Sequence, residues 1–324
     1  MSGASSPPPV RLVVRLLLEF MVAALPPLSR WQDGDLVRGI VFLAILQAGR
    51  PRFADLARRG VLAWPRSDDA LKPLSVNSLA VSLGLPYETA RRQVQRLTAA
   101  GLVRRVEAQG VVVPESVVQS PAFSAYAAEL HVLFLKLMRG LRAIGFDFDS
   151  FARGEIVAAQ ADEAADVQPD AALRNVLIDF MLRLVECGVA VHDNDMTRSF
   201  VFTAIMAANA EPYTAVADAA WDFATLAQSP PESRRRPITV RELSQRVGIP
   251  YETTRRAVVA MLADKDIVRV GRHGLINPQV SPRDARLHES GAVVLSRFVQ
   301  FVGDLRRLGF SFETLAIEPK KHAA

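Results

Sequence analysis

Cysteine is almost absent from this chain of 324 residues, which contains Cys187 alone. A single thiol has no partner within the chain, so the sequence excludes an intramolecular disulfide framework. We expect a reducing, cytoplasmic environment and interpret Cys187 as a small buried hydrophobe rather than a reactive group. Half of the residues are hydrophobic, which suffices for ordinary cores without disulfides or structural metal.

The sequence also lacks the motifs that support catalysis. It contains no Gly-rich phosphate loop, no His-x-x-x-His pair and no nucleophile elbow, so neither phosphate transfer nor hydrolysis is indicated. Most of the histidines, namely His131, His192, His288 and His322, are scattered without the spacing of metal ligands. We therefore predict a protein that is not an enzyme and binds no metal or cofactor.

The N-terminal apolar run, residues 10–28, is interrupted by Arg11, Arg15 and Glu19 at helical spacing. A related apolar segment at 173–185 recurs in the middle of the chain, again with charged residues embedded. A segment used twice in corresponding places is typical of a domain helix. We accordingly expect neither a signal peptide nor a membrane span.

The chain contains an internal duplication. Matching residues recur at an offset of 160 near the start of each copy, and at an offset of 164 from residue 75 onwards. Across residues 75–114, 15 of 40 positions are identical to their counterparts. We predict a first repeat at 1–152, a linker at 153–171 and a second repeat at 172–324. The segments 49–74 and 209–238, where the copies differ most, receive no role.

Each repeat has the pattern of two short helices followed by a hairpin. Ser75 is placed to cap the first helix, and Gly84 ends it at a tight turn. Ala90, Val94 and Leu97 recur at helical spacing and predict the buried side of the second helix. Two β-branched runs around a turn that ends in glycine predict the hairpin. We expect these module cores at about 35–114 and 195–278.

The positive charge of the chain is concentrated in these modules. The net charge is +5, and the sequence pI is near 9.7. Residues 75–114 hold five basic and two acidic residues, and residues 239–278 hold seven basic and four acidic ones. Each window therefore carries +3, and the rest of the chain is close to neutral. This distribution favours a polyanionic partner.

The sequence Leu-Gly-Leu-Pro-Tyr-Glu-Thr-Ala-Arg-Arg from Leu83, with its copy from Val247, occupies the turn and the second helix. With the basic helix and the short hairpin, or wing, it resembles the winged helix-turn-helix transcriptional regulators in the broad MarR/IclR/GntR sense. The resemblance covers about 40 residues of each repeat. It implies a mainly α fold with small β-hairpin wings, in which two tandem winged helix-turn-helix modules are each embedded in extra helices. The departure is the long segment between the first two helices of each module.

The resemblance also implies which residues contact double-stranded DNA, because a recognition helix places its first residues at base edges and phosphates. Arginine's planar fork suits both guanine and phosphate, and wing residues reach the DNA backbone or minor groove. Glu88 and Glu252 either stabilise the helix N-terminus or accept a hydrogen bond from cytosine. The predicted DNA-contacting residues are Tyr87, Glu88, Thr89, Arg91, Arg92, Gln95, Arg104 and Arg105, with Tyr251, Glu252, Thr253, Arg255, Arg256, Arg269, Arg272 and His273.

We predict a sequence-specific regulator in which one chain supplies two recognition helices to a pseudo-palindromic site. A plasmid-type replication initiator with paired winged helices is one alternative. A chromosome-segregation or protein-interaction adaptor is another, although adaptors of that class usually lack basic recognition helices. The long apolar helices at 125–144 and 290–308 are expected to pack on the N-terminal helices or on each other, with self-association as a further option. No effector is assigned.

Overall fold

The computed structural model describes residues 10–50, 71–148, 169–214, 221–225, 230–312 and 315. It is mainly helical and contains two small antiparallel hairpins, each of which follows a pair of short helices. The predicted fold class is therefore confirmed. The predicted segment 49–74 lies mostly outside the described residues, as does most of the linker, and the helix that opens the second repeat begins at Pro169.

The elements of the two repeats follow the same order. The first repeat comprises α1 (Val10–Trp31), α2 (Leu36–Ala48), α3 (Val76–Leu83), α4 (Tyr87–Ala99), β1 (Arg104–Val106), β2 (Gly110–Val112), α5 (Glu115–Val118) and α6 (Pro121–Ala143). The second comprises α7 (Pro169–Val191), α8 (Met196–Thr214), a 3₁₀ turn (Glu232–Arg234), α9 (Val240–Val247), α10 (Tyr251–Ala263), β3 (Val268–Val270), β4 (Gly274–Ile276) and α11 (Asp284–Arg307).

Side-chain caps fix where the module helices begin. The Asp35 carboxylate accepts from the Arg38 amide at 2.9 Å and starts α2. The Ser75 hydroxyl accepts from the Ser78 amide at 3.0 Å and starts α3, and Thr239 does the same for α9. Each cap satisfies an amide that has no partner within its helix. The start of α3 at Ser75 agrees with the predicted one.

The long helix α6 begins before its predicted start at residue 125. Ser120 accepts from the Phe123 amide at 3.2 Å, and Pro121 occupies the first turn, where a missing N–H costs nothing. Its counterpart α11 likewise begins at Asp284 rather than at 290. The prediction relied on the apolar pattern alone and passed over the Ser-Pro signal that precedes it.

The wings are small because each of their strands is three residues long. β1 pairs with β2 from Arg104–Val112 to Val106–Gly110, and β3 pairs with β4 in the same register. Leu74 adds an isolated bridge to Val111, and Ile238 adds one to Leu275. The segment that leads into the first short helix thus ties the base of each wing to its module.

Contacts between the two repeats are reciprocal at the end of each copy. The Arg142 guanidinium donates to the Phe312 carbonyl at 2.7 Å, and its counterpart Arg306 donates to the Phe148 carbonyl at 3.1 Å. The Phe148 and Phe312 rings, which are themselves counterparts, stack at 4.5 Å with an interplanar angle of 16°. When residue i contacts j′ while j contacts i′, the surface is self-complementary. The two repeats are therefore related by a local pseudo-two-fold axis.

The same reciprocity continues into the core. The Phe134 and Phe310 rings are 5.2 Å apart, and their counterparts Phe298 and Phe146 are 5.5 Å apart. Buried residues of both repeats form one hydrophobic cluster, and α1 packs on α6 of its own repeat as well as on α8 and α9 of the other. The long helices that we considered for self-association thus meet within the chain, where Phe134 lies 6.0 Å from Phe301.

The turn of each helix-turn-helix lies against the other repeat. Gly84 and Gly248 both have positive φ, at 62° and 66°, as expected for helix ends that turn back sharply. A Cβ at Gly84 would lie 2.8 Å from the Asn194 Oδ1 atom, and one at Gly248 would lie 3.0 Å from the Ser29 Cβ atom. The Ser29 hydroxyl also donates to the Gly248 carbonyl at 2.7 Å. These contacts fix the placement of each module on the opposite repeat.

Helix α1 is long and apolar enough to cross a membrane by length and composition, and 67% of its most apolar window is buried within the protein. Arg15 is buried as well, and its Nη2 atom donates to the Phe223 carbonyl at 2.6 Å. A core helix and a membrane-spanning helix share these properties of length and composition. The absence of a membrane span and the cytoplasmic location therefore stay predictions.

Candidate nucleic-acid interface

Burial of one side of α4 and α10 determines which side is presented to solvent. Ala90, Val94 and Leu97 are fully buried, as the helical spacing predicts. In α10 the buried residues include Thr254, Val258 and Met261. The Thr254 hydroxyl is satisfied locally because it donates to the Pro250 carbonyl at 3.2 Å. The same side of each helix therefore faces outward.

The structure places all the predicted DNA-contacting residues on the outside of the two modules. Tyr87 and Tyr251 are about equally exposed, at 53% and 52%. Thr89 and Arg91 are half-buried. The exposed residues are Tyr87, Glu88, Arg92, Gln95, Arg104, Arg105, Tyr251, Glu252, Thr253, Arg255, Arg256, Arg269, Arg272 and His273.

Glutamate holds the first arginine of each recognition helix. The Arg91 Nε and Nη2 atoms bind the two Glu88 oxygens at 2.8 and 2.6 Å. Arg255 binds Glu252 in the same way, with both distances at 2.8 Å. Residues three apart on a helix are neighbours, and a bidentate pair adds a fixed orientation. The role of Glu88 and Glu252 seen in the structure is thus a third one beside the two that we expected.

The arginine pairs of the two helices differ in their second member. Arg256 Nε also reaches Glu252, at 3.2 Å, whereas Arg92 forms no ion pair within the described part of the chain. The hydrogen bond from Arg91 lowers the pKa of Glu88, and the bonds from Arg255 and then Arg256 lower that of Glu252 to about 2. Both glutamates are therefore charged at neutral pH. At the start of α4, the Arg92 guanidinium is therefore not bound to Glu88. At the start of α10, both arginines are bound to Glu252.

Arg96 and Gln93 tie α4 to the start of α2, which the sequence did not indicate. The Asp35 Oδ2 atom accepts from Arg96 Nη1 at 3.0 Å and from Gln93 Nε2 at 3.1 Å. Arg96 is itself exposed, so this ion pair is partly solvated, and its counterpart in the second repeat is Ala260. In the second module the counterpart elements are joined with the charges reversed, since Arg198 in the first turn of α8 binds Asp264 and Asp266 at the end of α10, at 2.6 and 2.8 Å.

The wings carry basic residues at their exposed edges. Arg105 lies on β1, Arg269 lies on β3, and Arg272 with His273 lies in the turn between β3 and β4. These three arginines form no ion pair with any described residue, so their positive charge is presented to solvent. Arg104, on the same strand as Arg105, is exposed as well. Exposed guanidinium groups beside a recognition helix suit contacts with phosphate oxygens.

No cluster of metal-ligating side chains occurs among the described residues. Cys187, which we expected in the core, is half-buried, and burial raises the pKa of its thiol. That shift favours the protonated form, which is the less nucleophilic one. Cys187 is therefore not an activated nucleophile.

Two exposed, basic helices with the same first residues thus stand on modules that a pseudo-two-fold relates. Comparison with known proteins returned no matching family model, no matching curated protein and no matching solved structure. The assignment to a regulator family accordingly stays a prediction, while the architecture is that of two winged-helix-like units in one chain.

Proposed function

We propose that this protein binds double-stranded DNA in a sequence-specific manner as a transcriptional regulator, with both recognition helices supplied by one polypeptide. The observation that carries the proposal is the presence of two equivalent exposed faces, each with Tyr-Glu-Thr-x-Arg-Arg at the helix start, on pseudo-symmetric modules. A tyrosine and two arginines suit phosphate and guanine contacts at the mouth of a major groove.

Pseudo-symmetry in the protein implies pseudo-symmetry in the site. Ordinary winged-helix regulators use two chains, because one recognition helix contacts too few bases for useful discrimination. In this chain the reciprocal contacts around Phe148 and Phe312 hold the second module in a two-fold relation to the first. The proposed site is an inverted repeat whose half-site centres lie about 34–36 Å apart, or a multiple of that spacing.

The two half-sites are expected to differ at their distal bases. Gln95 is exposed on α4, while its counterpart Val259 is exposed on α10 and offers no hydrogen bond. The shared first residues give both half-sites a common core. The inverted repeat is therefore imperfect, with its asymmetry at the positions that Gln95 and Val259 face.

Selection of bound sequences from random duplexes, followed by native mass measurement of the complex, tests this proposal. We expect an imperfect inverted repeat that is occupied by one chain. Direct repeats would favour the replication initiator, and an absence of duplex binding at low salt would favour the protein-binding adaptor. Two chains for every site would refute the single-chain arrangement.

Substitution of the paired arginines tests the recognition face itself. Arg91→Ala and Arg255→Ala are each expected to weaken binding to the selected site by roughly 10- to 100-fold, the scale of a lost bidentate base contact. Arg307→Ala is the matched control, because Arg307 forms an i,i+3 pair with Asp304 at 2.7 Å on a different helix. Unchanged affinity in both recognition-helix variants would contradict the assignment.

A further inference from the structure

A cavity of about 290 Å³ lies between α1, α7, α8 and α11. Its walls are mostly apolar and include Leu17, Met21, Leu184, Phe200, Met206 and Val294. It is bounded by the two long helices that open the repeats, by the second helix of repeat two and by its last helix. The recognition faces of α4 and α10 take no part in its lining.

Rings fill the counterpart positions in the first repeat. Trp31 lies 4.7 Å from Phe42, 5.3 Å from Phe123 and 5.6 Å from Tyr126, measured between ring centroids. These four side chains join α1, α2 and the start of α6 in one aromatic cluster.

Smaller side chains replace most of this cluster in the second repeat. Phe42 is retained as Phe202, but Val191 stands for Trp31, Leu287 for Phe123 and Ser290 for Tyr126. All four of these residues line the cavity, together with Gly188, whose counterpart is Leu28. Because the cluster is replaced by smaller groups at these positions, the second repeat retains an open volume that the rings of the first occupy.

One part of the cavity wall is strongly basic. Arg11, Arg15 and Arg235 line it, and Asp284 is the single carboxylate among its described lining residues. The net charge of these four groups is therefore +2. An apolar cavity lined by guanidinium groups is complementary to a ligand that is apolar over most of its surface and negatively charged at one end.

Arg15 points to the charged end of such a ligand. The residue is 5% exposed, and its guanidinium carbon lies 4.6 Å from the centre of the Tyr213 ring. The Nη2 atom is satisfied by the Phe223 carbonyl, but the Nη1 atom is buried without a hydrogen-bond partner. Burial lowers the pKa of Arg15 to about 10, so it stays charged at neutral pH.

His192 adds a second buried polar atom to the lining. It is 3% exposed, and its Nδ1 atom has no hydrogen-bond partner. Burial lowers the pKa of His192 to about 4, so the ring is neutral and contributes no positive charge at pH 7. Its counterpart in the first repeat is Gln32, which shows that the position accepts an uncharged polar side chain.

We propose that this cavity is a binding site for an amphipathic organic carboxylate, with its carboxylate on Arg15 and its apolar body against the positions that Leu287 and Ser290 leave open. The volume of the cavity limits the size of the ligand. A cavity of about 150 Å³ accommodates benzene, so this one accommodates roughly a dozen non-hydrogen atoms. A carboxylate beside the Arg15 guanidinium offsets its buried charge, which a neutral hydrocarbon does not.

Isothermal titration calorimetry on the complete protein without DNA tests the site independently of the proposed function. Naphthoate, phenylbutyrate and decanoate have the required size and differ in rigidity, and the corresponding primary amides are their neutral counterparts. We expect saturable binding of at least one carboxylate at one site per chain, and roughly 10- to 100-fold weaker binding of its amide, the scale of charge-assisted hydrogen bonds. Failure of all three carboxylates, or equal binding of acid and amide, would overturn the proposal.

Two kinds of variant locate the ligand. The double change Leu287→Phe with Ser290→Tyr restores two rings of the first-repeat cluster and is expected to abolish binding while keeping the thermal midpoint. Ala292→Tyr is the control, because it adds the same ring to an exposed position of α11 that does not line the cavity. Arg15→Gln removes the charge, and we expect it to weaken the carboxylate to the level of the amide while leaving the amide unchanged. Binding that persists in the filled variant, or an equal loss of acid and amide in Arg15→Gln, would refute the assigned pose.

Discussion

Replacing Gly248 by alanine is expected to destabilise the protein more than the same change at Gly101, which also has positive φ. Part of the cost is local, because a Cβ in the left-handed region costs roughly 1–2 kcal/mol. The rest comes from the opposite repeat. The new Cβ would lie 3.0 Å from the Ser29 Cβ atom and 3.3 Å from the Pro26 Cα atom, neither of which moves without α1. Forcing a methyl group into such a contact costs roughly 1–3 kcal/mol.

The chain offers controls for this change. Gly101 has φ of 71° with no atom within 4 Å of a built Cβ, so Gly101→Ala reports the backbone cost alone. Gly84→Ala meets the Asn194 Oδ1 atom at 2.8 Å and the Asn194 Cβ atom at 3.0 Å, so it adds a contact with the opposite repeat to the backbone cost. We therefore expect both Gly84→Ala and Gly248→Ala to lose more stability than Gly101→Ala, with about 2–5 kcal/mol for Gly248→Ala.

Urea unfolding followed by far-ultraviolet circular dichroism measures the series. A common slope of free energy against urea for all variants is needed for the comparison, because it shows that the same surface is exposed on unfolding. The continuous core predicts a single transition. If Gly248→Ala costs no more than Gly101→Ala, the close approach of α1 to the second module is refuted.

Two further predictions concern the wings and His192. Arg105→Ala and Arg269→Ala are each expected to reduce the slope of log affinity against log salt concentration by about 0.9, the value for one phosphate contact. The sequence preference should stay unchanged. A lost sequence preference at constant slope would show that the wing contacts bases. For His192, burial and then Arg283 lower the pKa from 6.5 to about 4, so the stability that its neutral form contributes is complete above pH 6.5 and is lost as the pH falls towards 4. His192→Gln, which copies Gln32, is the reference. Between pH 6.5 and pH 4 the free energy of unfolding of the native protein should fall by about 3 kcal/mol more than that of the variant, as measured by urea titration. If the two free energies of unfolding change with pH in parallel, the pKa shift is contradicted.

Local patterns in the sequence were sufficient to predict the modules. The start of α3 at Ser75, the turn at Gly84 and the buried side of α4 depend on residues within a few positions of one another, where propensity and capping act. The Arg91–Glu88 pair was predictable on the same grounds, because residues at i and i+3 are neighbours on a helix. The two roles expected for Glu88, at the helix N-terminus and at a cytosine, did not include this pair.

Contacts between distant parts of the chain were not predictable from these patterns. Phe146 and Phe148 recur in the sequence as Phe310 and Phe312, but nothing in their spacing indicates that Arg142 binds the carbonyl of Phe312. The cavity was not predictable from local patterns either. Ser290 and Leu287 match an amphipathic helix as well as Tyr126 and Phe123 do, and only the packed structure shows the volume that the substitution opens.

Joining the two halves of the Phe148–Phe312 contact in one polypeptide changes how that contact responds to dilution. Two separate chains held by this surface would dissociate once their concentration fell below the dissociation constant. Within one chain, each half meets the other at an effective concentration that does not depend on how much protein is present, on the order of millimolar for short connections.

The same joining lets one half change while the other stays constant. In a homodimer, a serine at the position of Tyr126 would appear in both subunits and remove two rings from the packed interior. Here Ser290 occurs once, while Tyr126 keeps its stack with Trp31. One half of the molecule therefore retains a filled interior that supports the fold, and the other is left free to acquire an open one.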